Sequence, residues 1–211
     1  MADKKLDPRV IKTRTNLRKA LVYLMQNEKI DSISVQKITD TAHITRGTFY
    51  LHYKDKKDFI QKAMDEIINE FFDSVMISSD SLVKGKTIRL MSLNKAFEYI
   101  EKNADIFIIL LDRAQNNNFY RQLYSRLTKE MEAFIKEMGD DLDDMDVPMK
   151  VQVAFTASAM LGLIAQWLNN GLIYTAKYMT KTVSRIINRF EETRILLPSF
   201  FDDKLETGLS I

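Results

Sequence analysis

The stretch AHITRGTFYLHYKDKKDF, residues 42–59, gathers hydrogen-bond donors of several kinds in one place. Thr45 and Thr48 carry hydroxyls, Arg46 a guanidinium, Tyr50 a phenol and His52 an imidazole, and Lys54, Lys56 and Lys57 follow with ammonium groups. Such a set suits the recognition of an acceptor-rich polyanion. Arg can pair with a guanine edge in two places, Thr offers bases a hydroxyl and a methyl, and Tyr, His and Lys donate to phosphate oxygens. Gly47 has no side chain, so the backbone there can come close to a partner. Bond-making chemistry has little to work with. The chain has no Cys and two histidines, His43 and His52, and no nucleophile–base pair or phosphate-cradling Gly loop is legible. Two histidines fall short of the ligand set a metal needs. The run DDLDDMD, 140–146, lacks the Gly and the closing Glu of a calcium loop. The sequence therefore predicts no enzyme, no metal and no cofactor.

These donors need elements to hold them. Ser34 can cap a short helix in which Val35, Ile38 and Ala42 share a face, and Thr45 can cap a second through about Tyr53. Two short helices with a brief break between them match a helix-turn-helix. Neither is long enough to stand alone. A first helix over about 9–28, opened by Asp7-Pro8 and faced by Leu17, Leu21, Leu24 and Met25, supplies the packing partner. Asp55 can cap a longer helix carrying Phe59, Ala63, Ile67 and Phe71 at four-residue steps. In this motif the second helix lies in the major groove and its N-terminal residues reach base edges. Double-stranded DNA is the expected partner.

At this point SVQKITDTAHITRGTFYLHYKDKKDF resembles the N-terminal DNA-binding domain of TetR-type transcriptional regulators, most recognisably in T-R-G-T-F-Y-x-H-Y-K-D-K. The close match covers roughly residues 9–62, and AQWLNNG, 165–171, is similar to the end of the central C-terminal helix in one subgroup. The resemblance implies an all-α fold: a three-helix helix-turn-helix domain at 1–54, then a larger helical effector-binding and dimerisation domain at 55–211. It implies that Thr45, Arg46, Gly47 and Thr48 read the groove and that Tyr50, His52, Lys54 and Lys56 hold the backbone. Gln36 would add a contact from the preceding helix. It also implies a homodimeric repressor on a near-palindromic operator, released by a small-molecule effector. An activator or coactivator working through a protein partner is the alternative. Two positions depart from the pattern: His43 stands where the turn often has Gly, and Lys29 where the first helix often ends in Gly.

Beyond residue 75 the reading stays helical, with a polar loop at 78–86, a helix near 87–101, a short apolar helix through IFIILL at 106–111, and a loop at NNN, 116–118. Leu123, Leu127, Met131, Phe134 and Met138 form a helical stripe. The helix at about 149–169 has no charge between Val151 and Leu168, so it should be buried on every side. Its Gln152, Thr156, Ser158 and Gln166 argue against a membrane span. Ala154, Ser158 and Gly162 make a small-residue stripe that lets another helix approach. With Ile186 and Phe190 of a last amphipathic helix, they are the expected dimer interface. Tyr99, Phe107, Met160, Trp167 and Tyr174 are candidates to line an effector pocket, and the tail ILLPSFF, 195–201, should dock on the body.

Charge divides the chain. Residues 1–62 carry a balance of +7 and the remainder −5, within a net charge of +2. A basic first third on an acidic remainder suits one part that meets a polyanion and one that does not. Gly and Pro, at 6 and 3, are too scarce for an all-β chain. The N-terminal MADKKLDPRV has no apolar stretch, which predicts no signal peptide and, with no Cys, a cytoplasmic protein.

Overall fold

The computed structural model describes residues 7–80, 87–138, 147–188 and 200–202. Helix α1 (Pro8–Met25) starts where Asp7 accepts from the Arg9 amide at 2.8 Å, with Pro at the first position. It buries Leu17, Ala20, Leu21, Val22 and Met25. Helix α2 (Val35–Thr41) and helix α3 (Arg46–His52) are capped by the Ser34 and Thr45 hydroxyls, each accepting from the amide three residues on. Helix α4 (Lys56–Val75) opens on Asp55, which accepts from the Asp58 amide at 2.8 Å. All four starts lie where the capping residues put them.

The turn between α2 and α3 is closed by the Ile44 amide donating to the Thr39 carbonyl, and His43 sits there at φ 55. That is left-handed backbone, where a Cβ costs about 1–2 kcal/mol. Glycine would remove the strain but lose about 0.5–1 kcal/mol more in chain entropy. His43→Gly is therefore expected to raise folding stability by about 0.5–1 kcal/mol, measured as a higher denaturant midpoint.

Past α4 the chain departs from expectation. Strand β1 (Met76–Asp80) pairs antiparallel with β2 (Thr87–Ser92), with Met76 opposite Met91, where a loop and the start of a helix were expected. TIRLMS alternates only at its start, where buried Ile88 lies between exposed Thr87 and Arg89; Met91 and Ser92 at its end are buried on both faces. The helix begins one segment later because Ser92 accepts from the Lys95 amide and caps it. Strand β3 (Phe201–Asp202) adds a short parallel pairing, so the tail docks through buried Phe200 and Phe201; residues 195–199 lie outside the described set.

Helices α5 (Leu93–Lys102), α6 (Ala104–Leu110), α7 (Arg113–Met138), α8 (Met149–Asn169) and α9 (Ala176–Asn188) complete the body. The architecture is all-α with a small sheet at one edge. Helix α7 runs straight through 116–118, where a loop was expected. Asn costs a helix only about 0.7 kcal/mol per residue, and buried Phe119, Leu123, Leu127, Met131 and Phe134 hold the whole rod against the core.

Helix α8 lies at 149–169 as expected, but it is not buried all round. Val153, Ala157, Met160, Leu161, Ile164 and Leu168 face the core, while Val151 and Phe155 are 55% and 66% exposed, beside exposed Ala154, Ser158 and Gly162. By length and composition α8 could cross a membrane. Its inner face is nonetheless that of a core helix.

Candidate nucleic-acid interface

Three rings fix the helix that carries the donors. Phe49 of α3 and Tyr53, the residue just past its end, pack at 5.4 Å, and Phe59 of α4 meets them at 5.4 and 4.9 Å. All three are at most 1% exposed. With Phe49 turned inward, the outer face of α3 is settled by helical geometry. Thr45, Arg46, Gly47, Tyr50 and Leu51 are exposed, and Thr48 is half-buried.

These outer groups lie together. The Thr45 and Thr48 hydroxyl oxygens are 3.0 Å apart, and the Arg46 guanidinium lies 6.0 Å from the Tyr50 ring centre. At Gly47 an added Cβ would meet only the Thr45 hydroxyl oxygen, at 3.8 Å. Nothing in the chain itself requires glycine there. Gln36 is exposed on α2, its amide donating to Asp40 at 2.6 Å. His52 is half-buried, edge-on to Tyr53, and Lys54 is exposed. The Asp58 carboxyl is held below its usual range by hydrogen bonds from Lys62 and the Lys54 amide.

Lys56 is placed differently from the other cations. Its ammonium donates to the carbonyls of Ile30, Asp31 and Ile33 at 3.2, 2.9 and 3.0 Å. It ties the start of α4 to the loop before α2. Leu51 was missed by sequence reasoning although it is 82% exposed. Its signal was its spacing: an apolar residue four positions after Gly47, on the face that otherwise carries donors.

Burial pushes the Tyr53 phenol up to about 12, with the Glu66 charge adding to the effect, and its hydroxyl has no hydrogen-bond partner. Above the ordinary value of 10 the unfolded chain ionises first, so stability falls as pH rises from 10 towards 12. Tyr53→Phe is expected to gain about 1 kcal/mol at neutral pH and to lessen that alkaline loss. Thermal melts across the window check both.

The five residues expected to line an effector pocket do not share one cavity. Tyr99 and Phe107 line a cleft between α1 and the body; Phe107 and Met160 border a small core void; Trp167 and Tyr174 line a groove by α9. The Trp167 indole donates to the Tyr174 carbonyl at 2.8 Å. Of the residues expected at a dimer interface, Ala154, Ser158, Gly162 and Ile186 are exposed on α8 and α9, and Phe190 lies outside the described residues. Val151, Phe155 and Ile186 also line an apolar groove of about 450 Å³ between those helices.

A family model for a transcriptional regulator C-terminal region of TetR type matches residues 90–189. The uncharacterized HTH-type transcriptional regulator YxbF of Bacillus subtilis (strain 168) is 33% identical over 78 residues, covering 36% of this chain. That match spans a fifth of the relative's own length. Among solved structures, the dihydroxyacetone kinase operon activator DhaS superposes with a TM-score of 0.59 at 19% identity, covering 87% of this chain and 98% of that one. A TetR transcriptional regulator from Streptococcus agalactiae 2603V gives 0.57 at 21% identity, with 82% and 92% covered. At these identities the structural likeness is one of fold.

Proposed function

We propose that the chain is a TetR-type transcriptional regulator, a homodimeric repressor that binds a near-palindromic DNA operator and leaves it when a small molecule binds. The observation that carries the reading is the outer face of α3, where donors stand exposed on a helix locked from behind by Phe49 and Tyr53. Arg46 and Thr48 read base edges, and Thr45, Tyr50, His52 and Lys54 hold phosphates. Leu51 packs on thymine methyls. Gln36 adds a contact from α2. Lys56 serves the interface by fixing α4 to the head.

Two copies join through the bare apolar face of α8 and α9. A contiguous exposed apolar face of this kind is typical of an association surface, and the small residues Ala154, Ser158 and Gly162 let two helices come close. The dimer then holds its two recognition helices about 34–36 Å apart, one turn of DNA. An effector that prefers a conformer with other head spacing shifts the population off the operator.

The fold likeness to DhaS, an operon activator, keeps the opposite regulatory sign as the second reading. Titration of the purified chain with the DNA upstream of its own gene tests the proposal. A salt-dependent complex of two chains per site is expected, together with derepression when the gene is deleted. No binding without an added protein would sink the repressor in favour of a partner-dependent activator.

A further inference from the structure

Two spaces among the described residues bear on where a small molecule sits. Inside the body, the void bordered by Phe71, Phe97, Phe107 and Leu127 is about 20 Å³, room for one water at most. Between head and body lies a cleft of about 330 Å³, at the low end of the sizes that ligand pockets occupy. Its head wall is Arg18 and Tyr23 of α1, and its body wall is Glu70 of α4, Tyr99 of α5, and Asp105 and Phe107 of α6.

We infer that this head–body cleft is the effector site and that it takes a small aromatic molecule carrying a basic amine. The inference rests on the regulator reading above and names its ligand class. The rings are in place: Tyr23 is 61% exposed, and the Tyr99 ring stands edge-on to Phe107 at 6.1 Å. Rings so arranged favour an aromatic guest and the approach of a cation to their faces.

The accessible charges select the sign. Asp105 is exposed and makes no hydrogen bond or ion pair among the described residues, and the Glu70 side chain is 54% exposed. Arg18, by contrast, is only 12% exposed and already holds Glu70 at 2.6 Å and Glu66 at 3.6 Å. An anion would meet a covered guanidinium, whereas an amine reaches the unpaired Asp105 carboxylate and the solvent-facing side of Glu70, which Arg18 holds from within. Lys19, also on the cleft, is exposed on a long, flexible stem and can turn its charge to water. Burial and the Glu70 charge raise the Tyr99 phenol above its ordinary value, so it stays neutral and able to hydrogen bond.

An amine that takes Glu70 from Arg18 loosens a tie between α1 and α4. The guest's body meanwhile props α1 away from α6. Both effects favour the conformer in which the head has turned, which is the differential affinity a switch requires.

The test titrates 2-phenylethylamine, 3-phenylpropanoate and 2-phenylethanol separately into the full chain, first without DNA, by calorimetry. The amine is expected to bind once per chain and more tightly than the other two. Asp105→Asn and Glu70→Gln should each weaken it about tenfold; thermal melts should stay as in the parent for Asp105→Asn and fall for Glu70→Gln, which gives up the Arg18 pair. Equal binding of amine and carboxylate, no binding, or an amine affinity untouched by both variants overturns the proposal. In the second arm, saturating amine should weaken operator binding by the parent chain. An amine that binds the cleft but leaves operator affinity unchanged overturns its role as effector. Failure of the chain to bind operator at all, with no amine present, counts against the regulator reading instead.

Discussion

Phe49→Ala is expected to cost about 3–5 kcal/mol of folding stability, the largest effect on the fold of any change named here. The ring is fully buried and touches Tyr53 and Phe59, which are themselves buried. Removing it leaves a cavity under a helix of 7 residues that has too few hydrogen bonds to persist unsupported. The loss should appear as a lower denaturant midpoint and as early exchange of the α3 amides. Both α3 and the start of α4 depend on the same cluster, so DNA binding should fall with it. A variant as stable as the parent would mean that α3 is held by something other than these rings.

The second large effect concerns binding and leaves the fold alone. Arg46→Ala combined with Tyr50→Ala is expected to weaken operator binding by about a hundredfold to a thousandfold, from losses of about 1–3 kcal/mol at each site. Both side chains are exposed, with the Tyr50 ring edge-on to Phe49 and the Arg46 guanidinium over it, so the melting temperature should hardly move. Gly47→Ala makes the sharper contrast. The site is open in the chain, and alanine suits a helix better than glycine by up to about 1 kcal/mol. Stability should therefore rise while operator affinity drops, because within the chain the added methyl makes only an ordinary contact with Thr45 and otherwise faces the partner. Anisotropy titrations set beside melts decide it. An unchanged affinity in the double variant would remove α3 from the interface.

The head was legible in the sequence for a physical reason. Its helices begin at Asp7, Ser34, Thr45 and Asp55, and capping is local chemistry that needs no knowledge of the fold. The donors of α3 were legible because Phe49 and Tyr53 fix which face turns out. Lys56 was not: a lysine among lysines reads as a phosphate contact, and only the folded chain reveals three carbonyls converging on it. The β1–β2 hairpin was hidden because SSD carries no strand signal of its own and forms by pairing with β2. Asn116–Asn118 read as a loop because local propensity was weighed without the long apolar stripe that follows. The uneven burial of α8 was equally out of reach, since an apolar sequence does not say which face another chain would cover. The scattered pocket candidates fail for a similar reason: aromatic residues mark core, and which of them border empty space depends on how distant helices meet.

The bond set around Lys56 has a mechanical consequence. It welds the first turn of α4 to the loop before α2, and Arg14 and Arg18 add ties to Glu66 and Glu70 two to four turns further on. Head and α4 as far as Glu70 are therefore tied into one arm, and in the proposed regulator that arm pivots at its far end, where α4 meets the hairpin. An arm of 20 residues is about 30 Å long. A tilt of about 5° at the pivot carries the head sideways by roughly 2.6 Å, given that helix length. In the proposed dimer the two arms double this to roughly 5 Å, against a required separation of about 34–36 Å. The lysine that looked like a hand on DNA works as the rivet of a lever, and the gearing it provides turns ångström-scale wedging at the base into loss of register at the tip.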